Sequence, residues 1–322
     1  MKKTAELRRL LGTGKAIVAP GIYDALGARI VEKVGFEVVY MTGHGVSLGR
    51  LGQTDVGLMT ESEVVDNARL IANAIKIPLV ADADTGYGNA INMMRTVRDY
   101  ENAGVAAIHI EDQEAPKRCG HMKGKQLISQ EEMMGKIRAA LDAREDDDLV
   151  IIARTDARGA AGGSLDLAIK RSLAYAEAGA DVNFSEFTST SEKEAEQFAK
   201  AIHIKYPGKP LLINYSTAFK WHQSPVSFER LEELGYNLII LPLQLTRSML
   251  AGGWDFLSEL KANGEKAVYE QEKRLKDHAT EDYHEFGGFP GIVKLEEKYL
   301  PKEEVQKKYA TSEGFIKIRT EK

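Results

Sequence analysis

Three acidic residues at the ends of two neighbouring apolar runs have the chemistry of a metal site. Asp82 and Asp84 end the run PLVADAD, and Glu111 lies in the following run, AAIHIED. Residues two apart on a β-strand point to the same face, which would bring the two aspartate carboxylates together. Hard oxygen ligands of this kind suit Mg²⁺, or Mn²⁺, and leave room for water and a chelating substrate. The alternative is that one aspartate caps a helix and the other is solvated.

The single cysteine of the chain lies in an unusual polar segment, KRCGH. Lys117, Arg118 and His121 flank Cys119, and neighbouring cations lower the pKa of a thiol. A thiol that titrates near ambient pH can donate a proton to a carbanion and recover it from solvent. The segment therefore predicts that Cys119 is a general acid. Nucleophilic catalysis is the alternative function, although no cysteine-protease pattern surrounds this residue.

Two further segments could bind a carboxylate. Arg154, in IIARTDA, can hold a carboxylate through two parallel hydrogen bonds and stabilise oxyanion charge. An ion pair with Glu186 or an aspartate is the alternative, and both roles are compatible. In TGHG, from Thr42 to Gly45, successive backbone N–H groups could bind an anion, whereas the alternative is a plain glycine turn. His109 alternates with apolar residues, which favours a buried supporting role over metal binding.

These residues follow short apolar runs in a chain that alternates strand and helix patterns. Eight runs are predicted as strands: AIVAP near Ala16, VVYMT ending at Thr42, PLVADAD ending at Asp84, AAIHIED ending at Asp112, LVIIARTD ending at Asp156, DVNFSE ending at Glu186, LLINYS ending at Ser216 and NLIILPL ending at Leu243. Amphipathic helix patterns lie between them, and several end in glycine before the next strand.

Eight strand–helix units predict an all-parallel sheet that closes into a (β/α)8 barrel of the TIM type. An open doubly wound sheet is the alternative, but no glycine-rich dinucleotide fingerprint follows the first strand. Catalytic groups of such barrels lie at the carboxyl ends of the strands, so the polar residues should meet on one rim. Residues 1–264 are predicted to form the barrel, and residues 265–322 a charged C-terminal appendage of helices and loops.

Composition excludes several classes of function. The 322 residues carry a net charge of −5, which gives no basic face for nucleic acid. One cysteine permits no internal disulfide and suits a reducing compartment. No apolar run approaches the roughly 20 residues that span a bilayer, and the basic N-terminal segment lacks the apolar core of a signal peptide. A soluble, cytoplasmic protein with no membrane or nucleic-acid partner is expected.

Six segments resemble the isocitrate lyase and phosphoenolpyruvate mutase superfamily, over nearly the whole chain to about Leu260. They are VYMTGHGVS, LVADADTGYGN, IHIEDQ, PKRCGH, IIARTDA and INYSTAFKW. KRCGH is similar to the K-[KR]-C-G-H signature of the lyase branch, which the mutase and oxaloacetate decarboxylase branches lack. The chain length resembles that of methylisocitrate lyases and 2,3-dimethylmalate lyases.

The resemblance implies a role for each matching residue. Asp82, Asp84 and Glu111 would hold Mg²⁺, and Cys119, next to Lys117 on a mobile loop, would protonate the aci-carboxylate left after cleavage. The carboxylate of the α-keto acid product would be bound by Thr42, Gly43 and His44, with Tyr40 and Asp55 beside them. The carboxylates of the other product would be bound by Gly120, His121, Arg154, Glu186, Asn214 and Ser216. The family also implies a homotetramer with a helix swapped between subunits.

Departures from the family pattern bear on the substrate. His44 stands where isocitrate lyases carry tryptophan and methylisocitrate lyases carry glycine, and Thr217 and Ala218 replace a Pro-Ser pair of isocitrate lyases. Ala218 removes a hydroxyl donor to a distal carboxylate, for which Gln244 at the end of strand eight could substitute. Both changes point away from isocitrate and towards a substrate with a 2-methyl group.

The expected reaction is therefore Mg²⁺-dependent cleavage of a 2-hydroxy di- or tricarboxylate, such as 2-methylisocitrate or 2,3-dimethylmalate, to pyruvate and a carboxylic acid. The alternatives are isocitrate cleavage, oxaloacetate hydrolysis or mutase-like chemistry, and a barrel that only binds carboxylates. Tyr40, or a carboxylate or water linked to the metal, is the candidate base.

Overall fold

The computed structural model describes residues 1–188, 191–216 and 226–311. It contains eight parallel strands that pair in sequence order, and the last strand pairs with the first, which closes the barrel. The strands are β1 (Ile17–Ile22), β2 (Val39–Met41), β3 (Leu79–Asp82), β4 (Ala107–Glu111), β5 (Val150–Thr155), β6 (Val182–Ser185), β7 (Leu211–Asn214) and β8 (Tyr236–Leu241). The predicted (β/α)8 barrel is thus confirmed.

Helices pack against this barrel, and α2 to α9 begin where the sequence supplies capping side chains. They are α1 (Lys3–Leu11), α2 (Ala25–Val34), α3 (Gly43–Leu51), α4 (Glu61–Ala74), α5 (Ala90–Ala103), α6 (Gln130–Ala143), α7 (Leu165–Glu177), α8 (Glu192–Lys205) and α9 (Phe228–Glu233). Thr60, for example, caps α4 in a reciprocal pair with Glu63, which satisfies two backbone donors at the helix start.

Alternation along the strands divides the apolar residues between two cores. Val80 and Ile152 point into the barrel and share a buried cluster with Leu7 of α1. Their neighbours Ala81 and Ile151 belong to the cluster that faces the surrounding helices. The first helix therefore closes the amino end of the barrel interior, which leaves the carboxyl end for a site.

The strands β2 to β8 end one or two residues earlier than the sequence predicted. β3 ends at Asp82, so Asp84 lies beyond the strand, with a left-handed φ of 48°. The expectation that strand alternation points Asp82 and Asp84 to one face is therefore wrong, because alternation stops where the strand stops. Instead the Asp84 backbone N–H donates to Asp82 Oδ1 at 3.0 Å. This turn brings the two carboxyl groups close by a different route.

The C-terminal part is helical, as expected. Its helices are α10 (Gln244–Asn263), α11 (Glu265–Leu275), α12 (Tyr283–Gly287), α13 (Phe289–Tyr299) and α14 (Lys302–Thr311). The chain divides into two compact units, and the second begins at Leu250, within α10. Gly264, the predicted boundary, separates α10 from α11. None of the helices described combines the length and the apolar character needed to cross a bilayer.

Candidate active site

A narrow cavity lies at the carboxyl end of the barrel and gathers most of the residues singled out from the sequence. Strands β2 to β5 and β7 each contribute a side chain to it, and the segments that follow the strands contribute the rest. The lining residues are Tyr40, Thr42, His44, Asp55, Asp82, Glu111, Lys117, Cys119, Gly120, His121, Arg154, Glu186, Asn214, Pro242 and Leu243. Only the last two were not expected. The convergence on one rim follows from the parallel register, which pairs Glu111 with Arg154.

Arg154 lies at the centre of a buried charge network. Its guanidinium donates two hydrogen bonds to Asp156, at 2.9 Å and 3.1 Å. The carboxylates of Glu111 and Glu186 lie 3.2 Å and 3.3 Å from its nitrogens. The ion-pair role considered from the sequence is therefore present, with Asp156 as the bidentate partner. Arg154 also lines the cavity, so the ion pairs leave it within reach of that space.

The carboxyl groups of the site differ in pKa. Burial raises the pKa of Glu111 well above its usual value and raises the pKa of Asp84 to about 6. Burial also opposes ionisation of Asp82, but the charges of His109, Lys117 and Arg154 outweigh it and lower the Asp82 pKa to about 2. Perturbed carboxyl groups that cluster in a cleft are typical of functional sites.

The predicted ligand set fits a hard divalent cation. Glu111 Oε1 is buried and has no hydrogen-bond partner, so a cation beside it would supply the charge that this carboxylate lacks. Asp82 lines the same cavity, whereas Asp84 does not and instead lies 2.6 Å from Lys117 Nζ. Within the described ranges these three carboxylates do not form a tight group. Mg²⁺ commonly keeps several of its waters and can be held through them.

A tighter group of potential ligands is formed by His44, Asp55 and Cys119, whose ligand atoms all lie within 4.8 Å of one another. Lys117 Nζ is already 2.6 Å from Asp55 Oδ2, so an ammonium group neutralises the only hard ligand of the three. A thiol and an imidazole also suit softer metals than Mg²⁺. This group therefore suits Mg²⁺ less well than the carboxylates of Asp82, Asp84 and Glu111 do.

The cysteine loop lies over the cavity. Cys119 is 8% exposed, and its sulfur lies 3.7 Å from His121 Nδ1. The Cys119 backbone N–H donates to the Asp55 carbonyl at 3.1 Å, which ties the loop to the segment after α3. Of the three cations predicted around the thiol, Lys117 and His121 line the cavity, while Arg118 is exposed.

The segment TGHG is the start of a helix and not the turn or loop considered from the sequence. Thr42 caps α3 by accepting a hydrogen bond from the Gly45 N–H at 3.3 Å. The Gly43 N–H donates to Asp82 Oδ2 at 3.2 Å, and a β-carbon at Gly43 would lie 2.7 Å from that same oxygen. Glycine is therefore required here by close approach to the acidic pair, and the site gains the positive end of a helix dipole.

Tyr40 and His109 form a buried pair behind the acidic residues. Tyr40 Oη lies 2.8 Å from His109 Nε2 and 3.5 Å from Asp82 Oδ2. Burial lowers the pKa of His109 to about 4 and raises the pKa of Tyr40 well above its usual value. Both groups are thus neutral at physiological pH, which agrees with the supporting role predicted for His109.

Another part of the cavity wall is formed by Glu186 directly after β6, by Asn214 at the end of β7 and by the residues after β8. Asn214 Nδ2 donates to both carboxylate oxygens of Glu186, at 3.1 Å and 3.2 Å, and burial raises the pKa of Glu186 to about 7. Ser216 is buried just after β7, and Gln244 begins α10; neither lines the cavity. The departures at 217 and 218 lie outside the described residues.

The amide of Gln244 is engaged by the backbone. Its Nε2 donates to the Tyr215 carbonyl at 3.3 Å, and its Oε1 accepts from the Leu243 N–H at 3.2 Å. Gln244, which was predicted to replace the hydroxyl donor lost at Ala218, therefore uses its amide to bond the backbone.

Residues 7–260 match the family model described as phosphoenolpyruvate phosphomutase. The 2,3-dimethylmalate lyase of Eubacterium barkeri is 49% identical over 243 residues, which cover 75% of this chain and 80% of that protein. The isocitrate lyase of Haloferax volcanii is 39% identical over 316 residues, covering 98% and 91% of the two chains. The chain belongs to the phosphoenolpyruvate mutase and isocitrate lyase superfamily. Within that superfamily it is a carbon–carbon lyase, like the isocitrate lyase, the 2,3-dimethylmalate lyase and the 2-methylisocitrate lyases among its relatives.

Structural similarity extends across the superfamily. A solved phosphonopyruvate hydrolase in complex with oxalate and Mg²⁺ superposes with a TM-score of 0.81, at 30% identity, and covers 94% of this chain and 100% of that one. The fold is therefore shared between branches that break different bonds. The fold alone does not determine which bond is broken, and the side chains of the site do.

Two aspartates of the superfamily site were placed on the rim by the sequence but given no role. Asp112 Oδ2 accepts hydrogen bonds from Thr155 Oγ1 and Tyr175 Oη, each at 2.7 Å. Its other oxygen accepts from the Asp156 N–H at 2.9 Å. Asp112 thus fixes Asp156, which in turn orients Arg154. The available signal was their position directly after strands β4 and β5.

Proposed function

We propose that this protein is a Mg²⁺-dependent lyase that cleaves a 2-hydroxy carboxylate of the 2-methylisocitrate or 2,3-dimethylmalate type to pyruvate and a second carboxylic acid. The observation that carries the proposal is the shared cavity, which brings the Cys119 thiol together with Glu111, Asp82 and Arg154. A site that only binds carboxylates has no need of a buried thiol beside acidic residues.

The bonds and charges of this reaction balance with the groups present. A base removes the proton of the 2-hydroxyl, the C2–O bond becomes a carbonyl, and the C2–C3 bond breaks. The electron pair moves to C3, where the adjacent carboxylate stabilises it as an aci-carboxylate. The Cys119 S–H proton is then transferred to C3, which releases the second acid, and the thiolate is reprotonated from solvent.

Asp82, Asp84 and Glu111 are the residues that would hold Mg²⁺, or Mn²⁺, and the unpartnered Glu111 Oε1 supports this assignment. When bound, the ion supplies Lewis-acid polarisation of the 2-oxygen and of the adjacent carboxylate. The related phosphonopyruvate hydrolase was solved with Mg²⁺ and oxalate, a dicarboxylate that could occupy a similar site.

Different parts of the cavity wall suit the two halves of the substrate. The N-terminus of α3, with Thr42 and His44, is suited to the carboxylate of the keto-acid half. Another part of the wall, with Arg154, His121 and Asn214, is suited to the carboxylate that leaves. Lys117, buried between Asp55 and Asp84, keeps the local charge from becoming too negative for an anionic substrate.

Two candidates for the base follow from the geometry. Tyr40 lines the cavity and is hydrogen-bonded to His109 at 2.8 Å, so a proton could be relayed between them. Burial keeps the phenol protonated by raising its pKa, which favours the second candidate, a carboxylate or water linked to the metal.

The preference for a smaller substrate is supported by Gln244. Its amide is bonded to the backbone and is not available to the third carboxylate of a tricarboxylate. A buried carboxylate that lacks one donor loses roughly 1–3 kcal/mol. Together with the 49% identity to a 2,3-dimethylmalate lyase, this favours 2,3-dimethylmalate over 2-methylisocitrate, and both over isocitrate. Isocitrate cleavage is the second candidate, because the similarity to an isocitrate lyase covers 98% of the chain.

The test is a panel of 2,3-dimethylmalate, 2-methylisocitrate, isocitrate and oxaloacetate with purified protein and Mg²⁺. Keto-acid release is followed with lactate dehydrogenase, and loss of oxaloacetate is followed directly. We expect the highest kcat/KM with one of the two methylated substrates and the lowest of the three hydroxy acids with isocitrate. Isocitrate as the best substrate would overturn the substrate assignment, and turnover of oxaloacetate alone would overturn the hydroxy-acid cleavage.

We also propose the homotetramer with a swapped helix, which the family resemblance implies. Leu250, Trp254 and Leu257, spaced at i, i+4 and i+7 on α10, are 57%, 76% and 60% exposed, so they form one apolar stripe. Light scattering of the wild type should give the mass of four chains, and Trp254→Glu should reduce it. A monomeric wild type would contradict the proposal.

A cytoplasmic location stays a prediction from the lone thiol.

A further inference from the structure

Lys125 is a buried cation in the cysteine loop that has no part in the reaction described so far. It is 2% exposed, and it lies six residues after Cys119. A buried ammonium group is costly unless it is paired and hydrogen-bonded. Its partners therefore show why a lysine is held at this position.

The ammonium of Lys125 joins the loop to the charge network on β5. Its Nζ donates a hydrogen bond to the Gly120 carbonyl and lies 3.4 Å from Asp156 Oδ1. Asp156 in turn accepts both hydrogen bonds of Arg154. One side chain thus connects the residue next to Cys119 with the guanidinium on the cavity wall.

The pocket around the ammonium has little spare room. A β-carbon added at Gly159 would lie 3.1 Å from Lys125 Nζ and 2.5 Å from Thr188 Cγ2. The Lys125 carbonyl accepts a hydrogen bond from the Ala161 N–H at 3.1 Å. The backbone at Lys125 is therefore held by Ala161, and the absence of a side chain at Gly159 leaves the space that the ammonium group occupies.

Gly120 is in turn packed directly on the residues of the cavity wall. A β-carbon there would collide with Arg154 Nη2 and lie 2.8 Å from Glu186 Cγ. The hydrogen bond from Lys125 therefore holds the backbone at Gly120 against Arg154 and Glu186. This also places the two neighbours of Gly120, Cys119 and His121, above the cavity.

We propose that Lys125 is a positioning residue that keeps the Cys119 loop closed over the cavity through its contacts with the Gly120 carbonyl and Asp156. The proposal rests on the proposed function only for the role of the thiol as proton donor. Its structural content, closure of the loop, is independent of the reaction. The opposing explanation is a lysine that contributes to general stability alone.

The experiment uses the fact that Cys119 is the only cysteine of the chain, so a thiol reagent reports this residue alone. The rate of modification is measured against pH in wild type, Lys125→Met and Lys123→Met, with Mg²⁺ and pyruvate present. The midpoint of the profile gives the thiol pKa and the plateau gives its accessibility. Lys123 is an exposed lysine two residues away, and its variant is the matched control for loss of charge.

We expect Lys125→Met to raise the plateau rate by about tenfold or more, because local opening exposes the thiol. We expect kcat to fall by about 10²-fold, since a misplacement of about 1 Å has effects of that size, with a smaller change in KM. Lys123→Met should match wild type within about twofold in both. Thermal melting of each variant separates local opening from global destabilisation.

A wild-type plateau rate in folded Lys125→Met would overturn the proposal, whatever its activity. If that variant does not fold, Lys125→Gln decides, because it keeps a polar side chain but removes the charge and shortens the reach to the Gly120 carbonyl and Asp156. It should also raise the plateau rate, and an unchanged rate would overturn the proposal. The two proposals can also fail separately. If wild type showed no lyase activity while Lys125→Met still raised the plateau rate, the proposed function would be wrong and this inference would stand.

Discussion

The two ends of the barrel both carry arginine–aspartate networks, but they differ in burial and in what they leave unsatisfied. At the amino end, Arg8 of α1 donates to Asp181 at 2.8 Å and to the carbonyls of Asp147, Asp148 and Leu149 at 3.0–3.2 Å. At the carboxyl end, Arg154 is ringed by three carboxylates, and Glu111 Oε1 has no hydrogen-bond partner. The first network is complete within the chain, whereas the second is incomplete without a ligand.

The difference shows that charge alone does not identify a site. Arg8 is 31% exposed on its side chain and Arg154 is 8% exposed, so solvent stabilises only the first. Buried ion pairs contribute little to stability unless every group is satisfied. An unsatisfied buried carboxylate is therefore better explained by a ligand than by folding. Substitutions at the carboxyl end should affect activity, and those at the amino end should affect stability.

The largest effect is expected from the metal ligands. Glu111→Gln should lower kcat/KM by about 10³-fold or more, because it removes charge from a site that must hold a cation, and Lewis-acid stabilisation is worth several kcal/mol. EDTA should abolish wild-type activity, and Mg²⁺ should restore it. Calorimetric titration with Mg²⁺ should show weaker binding to the variant. Full activity in EDTA would remove the metal from the reaction.

The next effect is expected at the thiol. Cys119→Ser should lose about 10²–10⁴-fold in kcat, the usual range for a positioned general acid, because a serine hydroxyl is a far weaker acid than a thiol. Binding of Mg²⁺ and pyruvate should change little, since the substitution is nearly isosteric. The measurement is single-turnover kinetics beside calorimetric binding. Near-normal turnover in the variant would show that another group protonates the carbanion.

A smaller effect, visible only against pH, is expected from Glu186. Burial raises its pKa to about 7, above the unfolded value of about 4.3. Its contribution to stability is therefore fully present below the unfolded pKa and is lost as the pH rises through about 7. Between pH 5 and pH 8 the metal-free wild type should lose about 2 kcal/mol of unfolding free energy relative to Glu186→Gln.

Urea denaturation of both proteins at the two pH values, without metal, measures this difference. A wild type that gains stability relative to Glu186→Gln on going from pH 5 to pH 8 would show that Arg154 and Asn214 hold the carboxylate ionised. In that case the ion pairs at the carboxyl end would stabilise the fold, as those at the amino end are expected to do.

The barrel and much of its carboxyl-end rim could be predicted from the sequence, because both follow from patterns among residues that are close together in the chain. Apolar runs ending in polar residues locate the strand ends, and the flanking cations mark Cys119. The turn at Asp84 was not predictable, since an aspartate with a φ of 48° depends on Lys117 and Asp82 around it. Lys125 was also missed, because in the sequence it is one lysine among many and only tertiary contacts bury it.

The smallest effect is expected at the amino end, where Arg8→Met tests whether that network serves stability alone. The variant removes one donor each from Asp181 and from three backbone carbonyls, although Arg144 still donates to Asp181 and to one of those carbonyls, that of Leu149. Because the guanidinium is partly exposed and water replaces some of these bonds, we expect a loss of about 1–2 kcal/mol in unfolding free energy. Values of kcat and KM should stay within about twofold of wild type, since solvent screens charges more than about 10 Å apart.

Arg9→Met is the matched control for Arg8→Met, because Arg9 is on the same helix, is 52% exposed and pairs only locally, with Glu6. It should melt at the wild-type temperature, whereas Arg8→Met should melt a few degrees lower. If Arg8→Met instead reduced kcat as Glu111→Gln does, with little change in melting temperature, the amino end would be coupled to the reaction. The division of labour between the two ends of the barrel would then be wrong, because a network satisfied within the chain would be carrying function.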